Sequence, residues 1–183
     1  EQAKSDLFLN SIKKDISILN EHAQFIAIPC NTSHYFISDI ENMATIPVLN
    51  MVQLTVNKIK QSFPKKSKIA VLATDGTINT RVYENALHNE SLNYVKVDDD
   101  IQQEVMQLIY DFKKNSNADT SYINTMIKNL IQHKDYDCII LACTELSCMP
   151  YDSKYSSFII DALDVLVDES IKRANEIKIK RVE

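Results

Sequence analysis

Short apolar runs alternate with stretches of helical periodicity along the whole chain, and this alternation constrains the fold more than any other feature. Leu9, Ile12, Ile16 and Leu19 recur at the spacing of one helix face, so a helix is expected over residues 4–22. Phe25–Ile28 reads as a buried strand, a helix follows near Tyr35–Met43, residues 46–49 are extended, and Met51–Ser62 is helical again. Pro64 and the two lysines after it break the pattern. Lys68–Leu72 is expected as a buried strand, Asn79–Asn89 as a helix and Tyr94–Val97 as a strand. Ile101, Val105, Leu108, Ile109 and Phe112 line one helix face; Ile123, Ile127, Leu130 and Ile131 line another. Cys138–Ala142 is the most apolar strand, Phe158–Ile160 a short one, and Ala162–Ile177 a closing helix. Such alternation gives an α/β fold with mainly parallel sheet. Ligands in these sheets sit beyond the carboxyl ends of the strands, so residues just after strands are the first candidates for chemistry.

Composition removes several function classes. A net charge of −5 offers no basic footprint for nucleic acid. No apolar run approaches the ~20 residues of a membrane-spanning helix. Residues Glu1–Asp6 lack the basic start and apolar core of a secretory leader, so the chain is expected in the cytoplasm. Gly76 is the single glycine, which removes Gly-rich phosphate and dinucleotide loops. The cysteines at 30, 138, 143 and 148 lack Cys-x-x-Cys spacing, and the histidines at 22, 34, 88 and 133 form no cluster, so no metal site is expected. A chain with 45% hydrophobic residues holds itself by a core rather than by disulfides, which leaves the thiols free.

Two loops share a design. One reads Ile28-Pro29-Cys30-Asn31-Thr32-Ser33-His34, the other Leu141-Ala142-Cys143-Thr144-Glu145-Leu146. Each cysteine stands where a strand ends and a helix can begin. A free thiol titrates at about 8.5, and a helix amino terminus lowers that value. The neighbouring hydroxyls, amide and backbone N–H groups suit a carboxylate. The plain alternative is a pair of small core residues at strand ends. The repeat of the loop on a second strand favours a paired role instead. Two thiols facing each other would take a proton from one side of a carbon and return one to the other, which inverts a stereocentre. Cys138 and Cys148 have no matching motif and read as structural.

Four ordered segments carry a family resemblance. Residues 25–36, F-I-A-I-P-C-N-T-S-H-Y-F, closely resemble the first cysteine motif of the aspartate/glutamate racemase family. Residues 69–83, I-A-V-L-A-T-D-G-T-I-N-T-R-V-Y, resemble its second signature, 109–113, I-Y-D-F-K, a third, and 139–146, I-I-L-A-C-T-E-L, the second cysteine motif. The resemblance implies two pseudo-symmetric parallel-sheet domains with the site in the cleft between them. One would hold residues 1–49 and 157–183, the other 50–156. It implies no cofactor, an amino-acid substrate and a homodimer. By it, Cys30 and Cys143 are the alternating base and acid, and Asn31 and Thr32 grip the α-carboxylate. Thr74 adds a hydroxyl, its plain alternative being a helix cap, and Thr144 meets the α-amino or carboxylate region. Lys113 offers a positive charge, its alternative being a solvated helix charge; His34 and Glu145 organise the loops from behind.

The chain departs from the family at its start. Members begin with a strand and a glycine-rich loop resembling G-G-M-G-P, then a second strand that reads the substrate side chain. Here the first segment is a helix, so the first domain is expected to be incomplete. The function implied is a two-thiol amino-acid racemase acting on aspartate, with glutamate as the other candidate. Cys143-Thr144-Glu145 departs from the C-T-H of dedicated glutamate racemases. The alternative is a weak or inactive homologue that binds a dicarboxylic amino acid or a partner protein.

Overall fold

A computed structural model of the chain describes residues 2–116 and 119–180. Helix α1 (Gln2–His22) leads to strand β1 (Ile26–Ala27), a 3-10 turn at Thr32–Phe36 and helix α2 (Ile37–Met43), then β2 (Val48–Leu49) and α3 (Met51–Ser62). Next come β3 (Lys68–Leu72), α4 (Asp75–Asn79), α5 (Val82–Asn89), β4 (Asn93–Tyr94), α6 (Asp99–Lys114) and α7 (Tyr122–Gln132). Strand β5 (Cys138–Leu141), the single turn α8 (Thr144–Ser147), a 3-10 segment at Ser153–Phe158, β6 (Ile159–Asp161) and α9 (Ala162–Lys180) follow.

The fold is α/β and every strand pair is parallel. In the small sheet Ile26 lies opposite Val48 and Ala27 opposite Leu49. The larger sheet runs β4-β3-β5-β6, with Ile69 opposite Cys138 and Leu72 opposite Leu141 at its centre. From β3 the chain first builds outward to β4, then returns to lay β5 on the other side. Strands β3 and β5 therefore flank the topological switch point, where a crevice opens beyond their carboxyl ends.

Alternation along the two central strands builds a core on each face. Ala70, Leu72, Ile139 and Leu141 face α6 and α7, meeting Val105, Ile109, Ile123, Ile127 and Leu130. Ile69, Val71, Cys138 and Ile140 face the other side, against Met51, Val56 and Ile59 of α3, Leu87 of α5 and Leu166 of α9. Burying one such aliphatic side chain contributes about 1.5–3 kcal/mol, so these two layers carry most of the stability. A third, smaller cluster of Ile16, Ile26 and Ile40 lies under the small sheet.

Helix starts follow their capping residues. Asn50 Oδ1 accepts from the Gln53 N–H at 3.0 Å at the head of α3. Asp161 Oδ1 accepts from the Leu163 N–H at 2.8 Å at the head of α9 and also from the Ser147 hydroxyl at 2.7 Å. Two expectations change. The helix expected over 79–89 begins only at Val82, because Arg81 adopts a left-handed φ of 56° that separates it from the short helix α4 before it. Its guanidinium grips Glu84 through two hydrogen bonds of 3.0 and 2.6 Å. The strand expected over 94–97 pairs only at Asn93–Tyr94, although the Val95 N–H still reaches Ile69 O at 2.9 Å. Strand β6, which the resemblance groups with residues 1–49, pairs with β5 in the larger sheet. Among the described residues, no helix is long and apolar enough to cross a membrane.

Candidate active site

A cavity of about 190 Å³ opens at the switch point. Cys30, Asn31 and Thr32, carried on the loop after β1, form one wall. Thr74 comes from the β3–α4 turn and Thr77 from α4, Lys113 from the end of α6, Cys143 from the β5–α8 junction, and Thr144 and Glu145 from the start of α8. Seven residues anticipated as substrate or proton-transfer groups thus share one cavity with Glu145, while His34 stands outside its lining. A larger groove of about 360 Å³ between α3 and α9 is lined by Asn57, Lys58, Asp168 and Glu169 among others, and it brings together no thiol and no histidine. Among the described residues, no three His, Cys, Asp or Glu side chains come together as a metal site.

The first thiol loop is held from behind by His34. Its Nδ1 lies 2.9 Å from Cys30 O, and the Met51 N–H donates to its Nε2 at 3.0 Å. Because Nε2 must accept, Nδ1 carries the single ring proton and donates it to the Cys30 carbonyl. Burial lowers the His34 pKa, outweighing the Cys30 bond that raises it, so the ring is neutral by both criteria. The same histidine ties the Cys30 loop to the first residue of α3.

Asn31 is buried, and its Oδ1 accepts from the Tyr83 hydroxyl at 2.6 Å. That bond fixes the amide with its N–H groups free to serve as donors. Three threonine hydroxyls meet beside it. Thr77 Oγ1 lies 2.7 Å from Thr32 Oγ1 and 3.3 Å from Thr74 Oγ1. Thr74 also caps α4, accepting from the Thr77 N–H at 3.4 Å, and it lines the cavity as well. Gly76 is where α4 comes close to the first loop: an added Cβ would lie 3.4 Å from Thr32 Cγ2.

The second thiol loop is built around one carboxylate. The Cys143 thiol donates to Glu145 Oε2 at 2.8 Å, and the Thr144 hydroxyl donates to the same oxygen at 3.2 Å. Lys113 Nζ lies 3.4 Å from Glu145 Oε1. Burial and then the bond to the Glu145 carboxylate push the Cys143 thiol up to about 12, against smaller opposing effects of the Glu145 backbone N–H and of Lys113. This corrects the expectation that a helix start lowers this thiol. Helix α8 is one turn long, so its dipole is small, while burial and an adjacent anion both favour the neutral thiol. Burial pushes Glu145 up as well, but bonds from Cys143 and its own N–H, with Lys113 nearby, hold it below the usual carboxylate range. Cys30, by contrast, is exposed.

Thr77 and Tyr83 were missed as site residues by sequence reasoning. Both lie inside the 69–83 segment, and Thr77 stands one helical turn after Thr74, a spacing that carries a signal. Tyr83 acts across 52 residues on Asn31, and nothing local marks that. Cys138 is fully buried beside α3, as its strand position implies, whereas Cys148, read as structural, is exposed.

A Bacillus subtilis (strain 168) broad specificity amino-acid racemase, RacX, is 33% identical over 127 residues, 68% of this chain and 53% of that protein. The chain thus spans about half the length of that curated relative. The structure of Picrophilus torridus aspartate racemase superposes with a TM-score of 0.73 at 28% identity, covering 91% of this chain and 69% of that one. An aspartate racemase homologue from Pyrococcus horikoshii OT3 superposes with a TM-score of 0.78 over 91% of this chain and 74% of its own; at 20% identity it shows the fold. The Asp/Glu/Hydantoin racemase family model matches residues 1–169, which include both thiol loops and every strand of the larger sheet. The chain belongs to the Asp/Glu/hydantoin racemase family.

Proposed function

We propose that Cys30 and Cys143 form the acid–base pair of a cofactor-independent amino-acid racemase. The observation that carries this reading is that thiols from loops after strands of two different sheets line one small cavity. In the reaction a thiolate removes the α-proton from one side of the substrate and the opposite thiol delivers a proton to the other. The electron pair of the broken C–H bond stays on carbon and forms the new one. An α-proton of a zwitterion is hard to remove, so the cavity must stabilise negative charge on the carboxylate as the bond breaks. The Asn31 amide and the hydroxyls of Thr32, Thr74 and Thr144 are the donors for that task, and Lys113 is the nearest cation.

Aspartate is the first candidate substrate and glutamate the second. The broad specificity in the name of the B. subtilis relative widens the candidates to other amino acids. The Lys113–Glu145 pair supports that widening, because the charge that would hold a second carboxylate already has a partner. The reading carries with it a homodimer in the cytoplasm, which light scattering and fractionation would check.

The test is deuterium uptake at the α-carbon in D2O, with aspartate, glutamate and neutral amino acids in turn. Cys30→Ser and Cys143→Ser should each abolish racemisation while keeping the fold, since a hydroxyl is a far weaker base than a thiolate. Full activity in either variant rules the mechanism out. A second reading, binding without turnover, draws on the raised pKa of Cys143, which disfavours its thiolate. It requires tight amino-acid binding with no α-exchange.

A further inference from the structure

Two loops of one design end in different surroundings: Cys30 is exposed, whereas Cys143 is buried and bonded to a carboxylate two residues on. We propose that Glu145 is a positioning residue that keeps the proton on Cys143, so that the resting protein holds Cys143 as the acid and Cys30 as the base. This inference rests on the racemase reading for its consequence in turnover, but its premise concerns one thiol and is measurable without any substrate.

The geometry leaves the Glu145 carboxylate few other states. One oxygen receives the Cys143 and Thr144 protons at 2.8 and 3.2 Å, and the other faces Lys113 at 3.4 Å. A thiolate at Cys143 would stand against that carboxylate with no proton between them. Lys113 is half exposed, so solvent screens its compensation. The burial of Cys143 acts in the same direction as the carboxylate and outweighs the Glu145 backbone N–H, which favours the thiolate.

Turnover then becomes uneven in a defined way. With the proton kept on Cys143 and Cys30 left the role of base, the free protein accepts the antipode whose α-hydrogen faces Cys30. After the proton passes to Cys30 and Cys143 gives up its own, the protein is left in the less favoured state. The two antipodes of an amino acid have equal free energies in achiral solvent, so kcat/KM must be the same in both directions. The unevenness therefore appears only as a matched difference in kcat and in KM. The antipode facing Cys30 shows the lower KM and the lower kcat, and its mirror image shows both raised by the same factor.

The experiment follows the alkylation of Cys143 by iodoacetamide against pH, resolved by peptide mass spectrometry, in the wild type and in the Glu145→Gln and Lys113→Gln variants. Glu145→Gln should move the Cys143 profile down by at least one pH unit, which is about tenfold more thiolate at a fixed pH below the transition. Lys113→Gln should slow alkylation at fixed pH, because it strips the carboxylate of its counterion. Opposite shifts from the two variants support the proposal; an unmoved profile in Glu145→Gln, or shifts of the same sign, overturns it. Should Glu145→Gln fail to fold, Glu145→Asp, which keeps the charge but withdraws the carboxylate from Cys143, should also move the profile down, and an unmoved profile there overturns the proposal. With aspartate as substrate, the wild type should show unequal kcat for the two antipodes and Glu145→Gln should bring the ratio toward one. If no amino acid exchanges its α-proton, the racemase reading fails while the alkylation profiles still decide the role of Glu145.

Discussion

Replacing Tyr83 by Phe removes a single hydroxyl from the core and leaves Asn31 Oδ1 without its 2.6 Å donor. Tyr83 is 2% exposed and Asn31 5%, so water cannot readily take the vacated place. A buried acceptor left unpaired costs about 1–3 kcal/mol. For a chain of this size each kcal/mol moves the midpoint by roughly 2–4 °C, so the loss in Tm is about 2–12 °C. The ring keeps its packing against α3 and the larger sheet, so the loss belongs to the hydrogen bond. Asn31→Ala removes the acceptor instead, and in that background the missing hydroxyl should cost much less. The double-mutant cycle, read by urea denaturation, should therefore return a coupling of about 1 kcal/mol or more. On the proposed reading Tyr83→Phe also raises KM more than it lowers kcat, because Asn31 loses its orientation while both thiols remain. Losses that add within about 0.5 kcal/mol would show that the two residues act independently, and the link between core and cavity would be refuted.

Protonating His34 must break its bond from the Met51 N–H, and its folded pKa lies below the ordinary 6.5. The unfolded chain therefore takes up a proton below pH 6.5 that the folded one refuses, and stability present above 6.5 falls as pH drops toward the folded pKa. A His34→Gln variant should flatten that slope in denaturation curves measured between pH 7 and 5. Thr77→Val keeps its shape and the N–H that Thr74 caps but removes the hydroxyl shared by Thr32 and Thr74. It should raise substrate KM by about tenfold, the worth of one hydrogen bond, with unchanged kcat; an unchanged KM would remove Thr77 from the site. Ile140→Ala, at a fully buried central position of β5, should cost about 2–5 kcal/mol by urea denaturation, and a loss under 1 kcal/mol would mean the two cores are not close-packed around it.

What was legible in the sequence was what local periodicity determines. Met51–Ser62 and Lys68–Leu72 have the bounds their apolar spacing implies, because each buries its own face. The break at Arg81 was not legible. Left-handed turns are marked in sequence by glycine or asparagine, and here an arginine clamped to Glu84 takes that conformation instead. The site divides along the same line. A repeated strand–Cys–Thr pattern announces that Cys30 and Cys143 belong together, and the two do line one cavity. The pattern says nothing about their protonation, because it records only that each thiol follows a strand. Burial is a property of the layers packed over a loop, and only one of the two loops lies within the larger core. A repeat of sequence thus sets two like groups around one cavity, and the unequal packing of the two sheets makes them chemically unlike. A two-thiol inversion needs that inequality, since one sulfur must start with a proton and the other without.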